Sequence, residues 1–156
     1  KLDLDFYEPL TTHDSSLSRC IFSILRAEAG DMKQAYEHFM EIARLDLDNA
    51  HGNAHHGIHT ASMAGTWLSL EAGFAGLRLK HNLISFSPRL PINWKGYAFR
   101  LRTKNSCIRV QERFDSVQIS LLEGDELHLA CDGKEFWVTA ESDVFCSVDN
   151  PQKPDA

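Results

Sequence analysis

Apolar residues in the first half of the chain recur three and four positions apart, which is the spacing of amphipathic helices. The spacing predicts one helix from Leu17, capped by Ser15 or Ser16 and ended by Gly30. Asp31 then caps a second helix. Because the intervening turn is so short, the two helices must form an antiparallel hairpin.

A third helix is predicted to begin near Ile58 or His59 and to run to about Phe74. Its first turns contain the small or apolar residues Ala61 to Gly65, so it lacks a polar face. A helix of this kind is usually enclosed by its neighbours, and we expect it to be packed on all sides. Two companion helices cannot enclose it, so we infer that the chain is a fragment of a larger helical assembly.

After His81 apolar and polar residues alternate, a period of two that predicts β-strands. Six such runs are LISFSP, YAFRLRT, CIRVQER, VQISLL, LHLAC and FWVTA. Glu123–Asp125 and Asp132–Lys134 have the composition of hairpin turns. The predicted fold is therefore α+β, with helices over residues 1–80, a small antiparallel β-sandwich over 81–150 and a tail at 151–156.

Composition narrows the classes of function. The 156 residues are 43% hydrophobic and 24% charged, which is typical of a globular protein. The net charge of -6, with Lys and Arg spread along the chain, argues against nucleic acid or an anionic membrane as a partner. No apolar run approaches the ~20 residues that span a bilayer. The four cysteines are scattered, which favours a reducing cytoplasm.

Four of the eight histidines lie between residues 51 and 59 and raise the question of a metal site. His55 and His59 are four apart, the spacing that puts two ligands on one helical face. Glycines interrupt that face, however, and neither a cysteine nor a paired carboxylate completes a tetrahedral set nearby, although Asp46 and Asp48 are close in sequence. We therefore predict no metal.

The second helix admits another interpretation. GDMKQAYEHFMEIARLDLDNA is close to the pattern of a tetratricopeptide-repeat hairpin, which would indicate a protein–protein interaction module. Such repeats need about three stacked copies to bury a core. No second copy occurs about 34 residues away in either direction, so the pattern is that of an ordinary amphipathic hairpin.

Several unrelated sequence blocks follow one another in a specific order: YEPLTTHDSSLS, ARLDLDN, GIHTASMAGTW, GFAGLRL and LISFSPRLPINW. Together they resemble the C-terminal part of the maltose, kojibiose and trehalose phosphorylases of glycoside hydrolase family 65. The resemblance implies that residues 1–80 are the last helices of an (α/α)6 catalytic barrel. It also implies that the sheet region is a small C-terminal β domain, in agreement with the incomplete helical assembly inferred above.

The resemblance implies an inverting phosphorolysis of an α-linked glucose disaccharide, giving β-glucose 1-phosphate and a free sugar. Inorganic phosphate is the co-substrate, and no cofactor is implied. The family's general acid is a glutamate in an upstream G-P-D-E-Y-like block that does not occur here. We therefore assign no catalytic residue to this chain and expect the isolated chain to be inactive. The implied partners are the sugar, phosphate, the rest of the barrel and, for the full-length protein, further copies in a homo-oligomer.

A helix start suits phosphate because it presents unpaired N–H groups and the positive end of the helix dipole. The resemblance assigns the phosphate-binding role to His59, Thr60 and Ser62. It further implies an active-site loop at the mouth of the same barrel, made of Thr12, His13, Asp14 and Ser15. Helix capping by the loop's polar residues would explain part of that pattern without any chemistry.

Two alternative functions remain open. A trehalose-cleaving hydrolase of the same family would require a carboxylate base where phosphate otherwise binds, and the compact HTASMAG run suits phosphate better. A non-catalytic carbohydrate-binding module would expose aromatic residues such as Trp94 or Trp137, although each more often fills a sandwich core.

Overall fold

The computed structural model describes residues 1–13, 15 and 17–150, and these form two compact units. The first unit, Lys1–Phe74, is helical, and the second begins at Ala75 and contains the sheets. The division lies before residue 81, where the alternation begins, because the short strand Arg78–Lys80 pairs with the strand that follows it. The predictions at Asp14, at Ser16 and for the 151–156 tail fall outside the described residues.

The helical unit begins its elements close to the positions that the apolar spacing predicts. Its α-helices α1 to α4 span Leu2–Tyr7, Ser18–Glu28, Met32–Ala43 and Thr60–Leu68. Two 3-10 turns lie at Glu8–Leu10 and Ala54–His56, and a π-helical turn, Ser69–Phe74, continues α4. Among the described residues, none of the helices has the length and apolar character needed to cross a bilayer.

The turn between α2 and α3 follows the predicted chemistry. Gly30 has φ +81°, a conformation that favours glycine, and Asp31 accepts a hydrogen bond from the Gln34 N–H at 3.3 Å. Before α2, the Ser15 hydroxyl accepts a hydrogen bond from the Leu17 N–H at 3.2 Å. The predicted stop at Gly30 and cap at Asp31 are thereby confirmed, whereas the N-cap residue of α2 is Leu17, which has no side-chain cap hydrogen bond.

Helix α4 packs through one face only. Ser62 and Gly65 are buried, and a Cβ added at Gly65 would lie 2.9 Å from the Cys20 Cβ of α2. The opposite face carries large apolar side chains that are exposed, namely Met63, Trp67 and Leu68. Within this chain α2 and α3 cover only one side of α4, so enclosure on all sides stays a prediction for the larger helical assembly.

The β unit contains eight strands among its described residues, arranged in two four-stranded sheets. Strands β1 to β8 span Arg78–Lys80, Leu83–Phe86, Gly96–Arg102, Ser106–Arg113, Ser116–Gly124, Leu127–Cys131, Lys134–Val138 and Val144–Ser147. The sheet orders are β1-β2-β6-β7 and β3-β4-β5-β8. Six strands match the alternating runs, whereas β1 and β8, of three and four residues, were not predicted.

The two sheets share one apolar core, which gives a small β-sandwich. Phe86 and Leu129 from the first sheet and Val110 and Ile119 from the second are all fully buried in it. The prediction of a purely antiparallel sandwich is wrong at one pair, because β2 and β6 are parallel. The other paired strands are antiparallel.

Of the two predicted glycine-containing hairpin turns, one is confirmed and the other is wrong. Asp132 and Gly133, with φ 44° and 78°, form the predicted two-residue hairpin loop between β6 and β7. Glu123–Asp125 is not a hairpin, because β5 and β6 belong to different sheets. Gly124 has φ +90°, and a Cβ there would overlap the Asn105 carbonyl oxygen, so the chain needs glycine where it leaves one sheet for the other.

Candidate functional site

His59 and Asp46 form a closely bonded pair at the start of α4. His59 is the N-cap residue of α4, and Asp46 lies in the turns that follow α3. Asp46 Oδ1 is 2.5 Å from His59 Nδ1, and Oδ2 accepts a hydrogen bond from the His59 N–H at 2.9 Å. These hydrogen bonds from His59 lower the pKa of Asp46 below its ordinary value. One ionised carboxylate thus fixes both the ring and the backbone of His59.

The far ring nitrogen of His59, Nε2, is the one left for a ligand. Because Nδ1 faces a carboxylate, Nδ1 carries a proton and the orientation of the ring is set. Nε2 lies 3.4 Å from Asn53 Nδ2, and the His59 side chain is partly exposed. A neutral ring accepts a hydrogen bond at Nε2, whereas a protonated ring donates one there and would carry a positive charge balanced by Asp46.

The backbone N–H groups at the start of α4 are more occupied than the sequence suggested. The His59 N–H donates to Asp46, the Thr60 N–H to the Ile58 carbonyl at 3.1 Å, and the Ser62 N–H to the His59 carbonyl at 2.9 Å. The positive end of the helix dipole remains at this position. The side chains of the first turn therefore matter more for an anion than free amides do.

The two hydroxyl residues of the predicted phosphate site differ in accessibility. Thr60 is exposed at the first turn of α4. Ser62 is fully buried on the helix face that packs inward, and its hydroxyl has no hydrogen-bond partner among the described residues. A buried hydroxyl without a partner costs about 1–3 kcal/mol. His59 and Thr60 are thus the accessible members of the predicted set.

The described contacts of the predicted active-site loop are to residues other than His59 and Asp46. His13 has φ 55°, its Nδ1 is 2.9 Å from the Ser18 hydroxyl, and its ring packs edge-on against Phe22 at 5.0 Å. Burial lowers the pKa of His13, and the positive charges of Arg19 and His38 lower it further. Thr12 is exposed. The His13 ring is therefore part of a packed aromatic contact rather than a freely rotating side chain.

A cavity of about 450 Å³ joins the loop to the turns after α3. His13 and Ser15 line it together with charged residues and His51; its charged lining residues are Arg19, Glu41, Arg44 and Asp48. His59, Thr60 and Ser62 do not line it. The structure thus groups the predicted residues into two sets, one around this cavity and one at the start of α4.

A buried ionic cluster that the sequence did not reveal lies beside the loop. Arg26 is 3% exposed and bonds to Asp5 at 2.6 Å and to Glu8. Glu8 also lies 2.5 Å from His38 Nε2. Burial raises the pKa of Glu8, but the hydrogen bonds to Arg26 and His38 outweigh it and lower the pKa overall. Because these partners are 18 and 30 residues apart in sequence, no local motif indicates them.

The remaining histidines of the cluster form no metal centre in the part of the chain that the structure describes. No group of three or more His, Cys, Asp or Glu side chains there has an arrangement that could hold a metal ion. The His55 and His56 rings pack edge-on against each other at 4.1 Å, and His59 pairs with Asp46 instead of His55. The partner that sequence spacing proposed for His59 is therefore replaced by a carboxylate 13 residues before it.

Two family models match consecutive parts of the chain. Residues 1–68 match the glycosyl hydrolase family 65 central catalytic domain, and residues 77–138 match the family 65 C-terminal domain. The gap between the two matches contains the division between the helical unit and the β unit.

Named relatives show the same similarity over most of the chain. It is 43% identical over 145 residues to an alpha,alpha-trehalose phosphorylase of Geobacillus stearothermophilus, covering 93% of this chain and 19% of that protein. It is 41% identical over 127 residues to a maltose phosphorylase of Bacillus subtilis (strain 168), covering 81% and 17%. The chain thus spans about a fifth of the length of these relatives.

A solved structure agrees with the fold of both units. The structure titled "Putative kojibiose phosphorylase from human microbiome" matches with a TM-score of 0.85 and 33% sequence identity. The match covers 92% of this chain and 19% of that one. The similarity in fold therefore extends over nearly all of the 156 residues.

Proposed function

The chain belongs to glycosyl hydrolase family 65, and from this we propose that it is the C-terminal part of an inverting glycoside phosphorylase. The full-length enzyme cleaves an α-linked glucose disaccharide with inorganic phosphate and gives β-glucose 1-phosphate and a free sugar. This proposal is supported by relatives named as trehalose, maltose and kojibiose phosphorylases. The observation in this chain that carries it is the His59–Asp46 pair at the start of α4.

In this reaction phosphate needs no general base, because it arrives already anionic. The protein must hold it opposite the leaving group and exclude water. We assign this role to His59 in its protonated form, in which Nδ1 donates to Asp46 and Nε2 donates to a phosphate oxygen. The Thr60 hydroxyl adds a donor at the same helix turn. Ser62 is fully buried on the face of α4 that packs inward, so the accessible phosphate contacts of this proposal are His59 and Thr60.

The loop of Thr12, His13, Asp14 and Ser15 belongs, in this proposal, to the mouth of the same barrel. It supplies no assigned chemical step, and the cavity beside His13 and Ser15 is its main structural feature. The general acid is a glutamate outside the 156 residues. We therefore expect the isolated chain to release no glucose 1-phosphate from maltose, trehalose or kojibiose.

Exposed apolar side chains support the proposed remainder of an (α/α)6 barrel as a partner. They lie on α1 and on the outer face of α4 and include Leu2, Phe6, Tyr7, Met63, Trp67 and Leu68. So many large apolar side chains seldom stay exposed to water on one small helical unit, so neighbouring helices are expected to cover them. The proposed setting is a cytoplasmic homo-oligomer that needs phosphate and sugar but neither cofactor, nucleic acid nor membrane.

The phosphate role of His59 is tested by kinetics of the full-length enzyme. His59→Ala should raise the KM for phosphate at least tenfold and change the KM for the disaccharide little, because the lost contact is to phosphate. His55→Ala is the matched control, since that neighbouring ring packs against His56 alone in the described contacts, and it should leave both constants unchanged. Equal effects of the two variants would contradict the assignment.

The same assay separates a phosphorylase from a hydrolase. Without phosphate, a phosphorylase should release essentially no glucose, whereas a hydrolase would release it at the full rate. Phosphate-independent release of glucose would therefore overturn the proposed reaction even if the disaccharide is correct.

A further inference from the structure

Trp137 on strand β7 is an exposed aromatic residue of the β unit, and its ring stacks on a polar side chain of the neighbouring strand. Its neighbours in sequence, Phe136 and Val138, point toward the sandwich core, so the alternation of the strand puts Trp137 on the outer face. The side chain is 56% exposed. Strand β7 is also the edge of its sheet, with β6 on one side. A ligand could therefore approach the indole without moving any part of the sheet.

His128 holds the indole from the neighbouring strand. The two residues are directly opposite in the β6–β7 register, and their rings stack with centroids 4.9 Å apart and planes 19° from parallel. His128 Nε2 is in turn 3.1 Å from Glu135 Oε2. A cross-strand stack of this kind restricts the rotamers of both rings. Trp137 is thus held flat against a polar, carboxylate-bonded imidazole while much of its surface faces solvent.

The other aromatic residues of the β unit lack this arrangement. Trp94 is half-buried and packs edge-on against Tyr97 at 5.7 Å rather than stacking with it. Phe145 is exposed, but it has no polar atom of its own, and its cross-strand neighbour Gln118 bonds to Asp143 at 2.6 Å. The stacked pair with its carboxylate is therefore specific to one place on this unit among the described residues.

We propose that Trp137, His128 and Glu135 form a surface site for a neutral gluco-oligosaccharide. A pyranose ring offers an apolar face of C–H groups that packs on an indole, while its hydroxyls at the rim bond to polar side chains. Beside the indole, the imidazole of His128 can donate or accept a hydrogen bond, and the carboxylate of Glu135 can accept one from a sugar hydroxyl. The choice of a glucosyl sugar rests on the proposed function, whereas the stacking platform stands on the geometry alone.

The carboxylate argues against the other ligands that stack on tryptophan. Single-stranded nucleic acid also stacks on aromatic rings, but its binding depends on positively charged protein side chains that contact the phosphate backbone. Here the imidazole that stacks on the indole bonds to the carboxylate of Glu135, which would repel phosphate. A neutral, hydroxyl-rich ring meets no such repulsion.

The site is tested by titrating the ¹⁵N-labelled 156-residue chain with maltopentaose in phosphate-free buffer. The chain has three tryptophans, so its indole N–H groups give three resonances that can be assigned by substitution. The resonance of Trp137 should shift in a saturable way, and those of Trp67 and Trp94 should not. Trp137→Ala should weaken binding, followed through the backbone amides of β6 and β7, at least tenfold, and His128→Ala by about threefold.

Phe145→Ala is the matched control, because it removes a still more exposed ring from the other sheet, and it should leave the affinity unchanged. Repeating the titration with His59→Ala separates this site from the phosphate site, since sugar binding at β7 should survive that change. An unmoved Trp137 resonance, or a loss of affinity in Phe145→Ala as large as in Trp137→Ala, would overturn the proposal. Neither outcome would bear on the phosphate dependence of the full-length enzyme.

Discussion

The two units of this chain differ in how completely they bury their large apolar side chains. In the β unit, Phe86 and Ile108 have no exposed surface, and both sheets contribute to the same core. In the helical unit, Leu2, Phe6 and Ile58 stay exposed. A sandwich closes its core within one stretch of chain, whereas the proposed helical barrel would close only with all its helices present. The contrast supports the proposal that the helical unit packs against further helices.

The two units also differ in how they stabilise a buried ionisable side chain. The helical unit pairs its buried Arg26 with Asp5 and Glu8, so opposite charges compensate each other. The β unit buries Glu112 on β4, where loss of hydration raises its pKa to about 8. At neutral pH the side chains of Arg26, Asp5 and Glu8 are therefore charged, whereas Glu112 retains its proton and is neutral.

Truncating one phenylalanine in each unit gives the largest expected contrast. Phe86→Ala should lower the free energy of unfolding of the β unit by about 3–5 kcal/mol, because it leaves a cavity in a closed core. Phe6→Ala in the same 156-residue chain should change stability by no more than about 0.5 kcal/mol, since the ring is 63% exposed. Urea unfolding followed by NMR signals of each unit measures both, and comparable losses would contradict the contrast.

The protonated glutamate predicts a smaller, pH-dependent effect. Between pH 4.5 and 8 the unfolded chain has lost the Glu112 proton that the folded chain retains. The free energy of unfolding of the β unit should therefore fall as pH rises, by up to about 1.4 kcal/mol per pH unit from this group. Glu112→Gln should remove that contribution, because the amide is neutral at every pH. Urea unfolding at several pH values checks it, and identical slopes for both proteins would refute it.

Local chemistry made much of the fold predictable. Gly30 and Asp31 identify the α2–α3 turn because their backbone preferences act within a few residues. The alternating runs identified six strands for the same reason. Strands β1 and β8, of three and four residues, lie outside the six alternating runs, and their pairing with β2 and β5 shows that they are strands. The parallel β2–β6 pair depends on residues about 45 apart, which no local pattern encodes.

The candidate site was predictable only in part. Resemblance pointed to His59, and the small residues after it predicted the start of α4. Asp46 went unassigned because it lies in a loop 13 residues earlier, where the sequence LDLDN gives no sign of which aspartate meets the histidine. The burial of Ser62 was equally hidden, since it depends on which face of α4 packs against α2 and α3. Long-range packing thus decides which members of a motif are accessible.

The most direct test of the phosphate site is a double-mutant cycle in the full-length enzyme with Asp46→Asn and His59→Ala. Asp46 acts in the proposed site through His59, so Asp46→Asn should raise the KM for phosphate while the disaccharide KM changes little. In the double variant, Asp46→Asn should add almost nothing to the effect of His59→Ala. Effects on the phosphate KM that simply multiply, or that fall on the sugar instead, would contradict a histidine held by Asp46 at the phosphate.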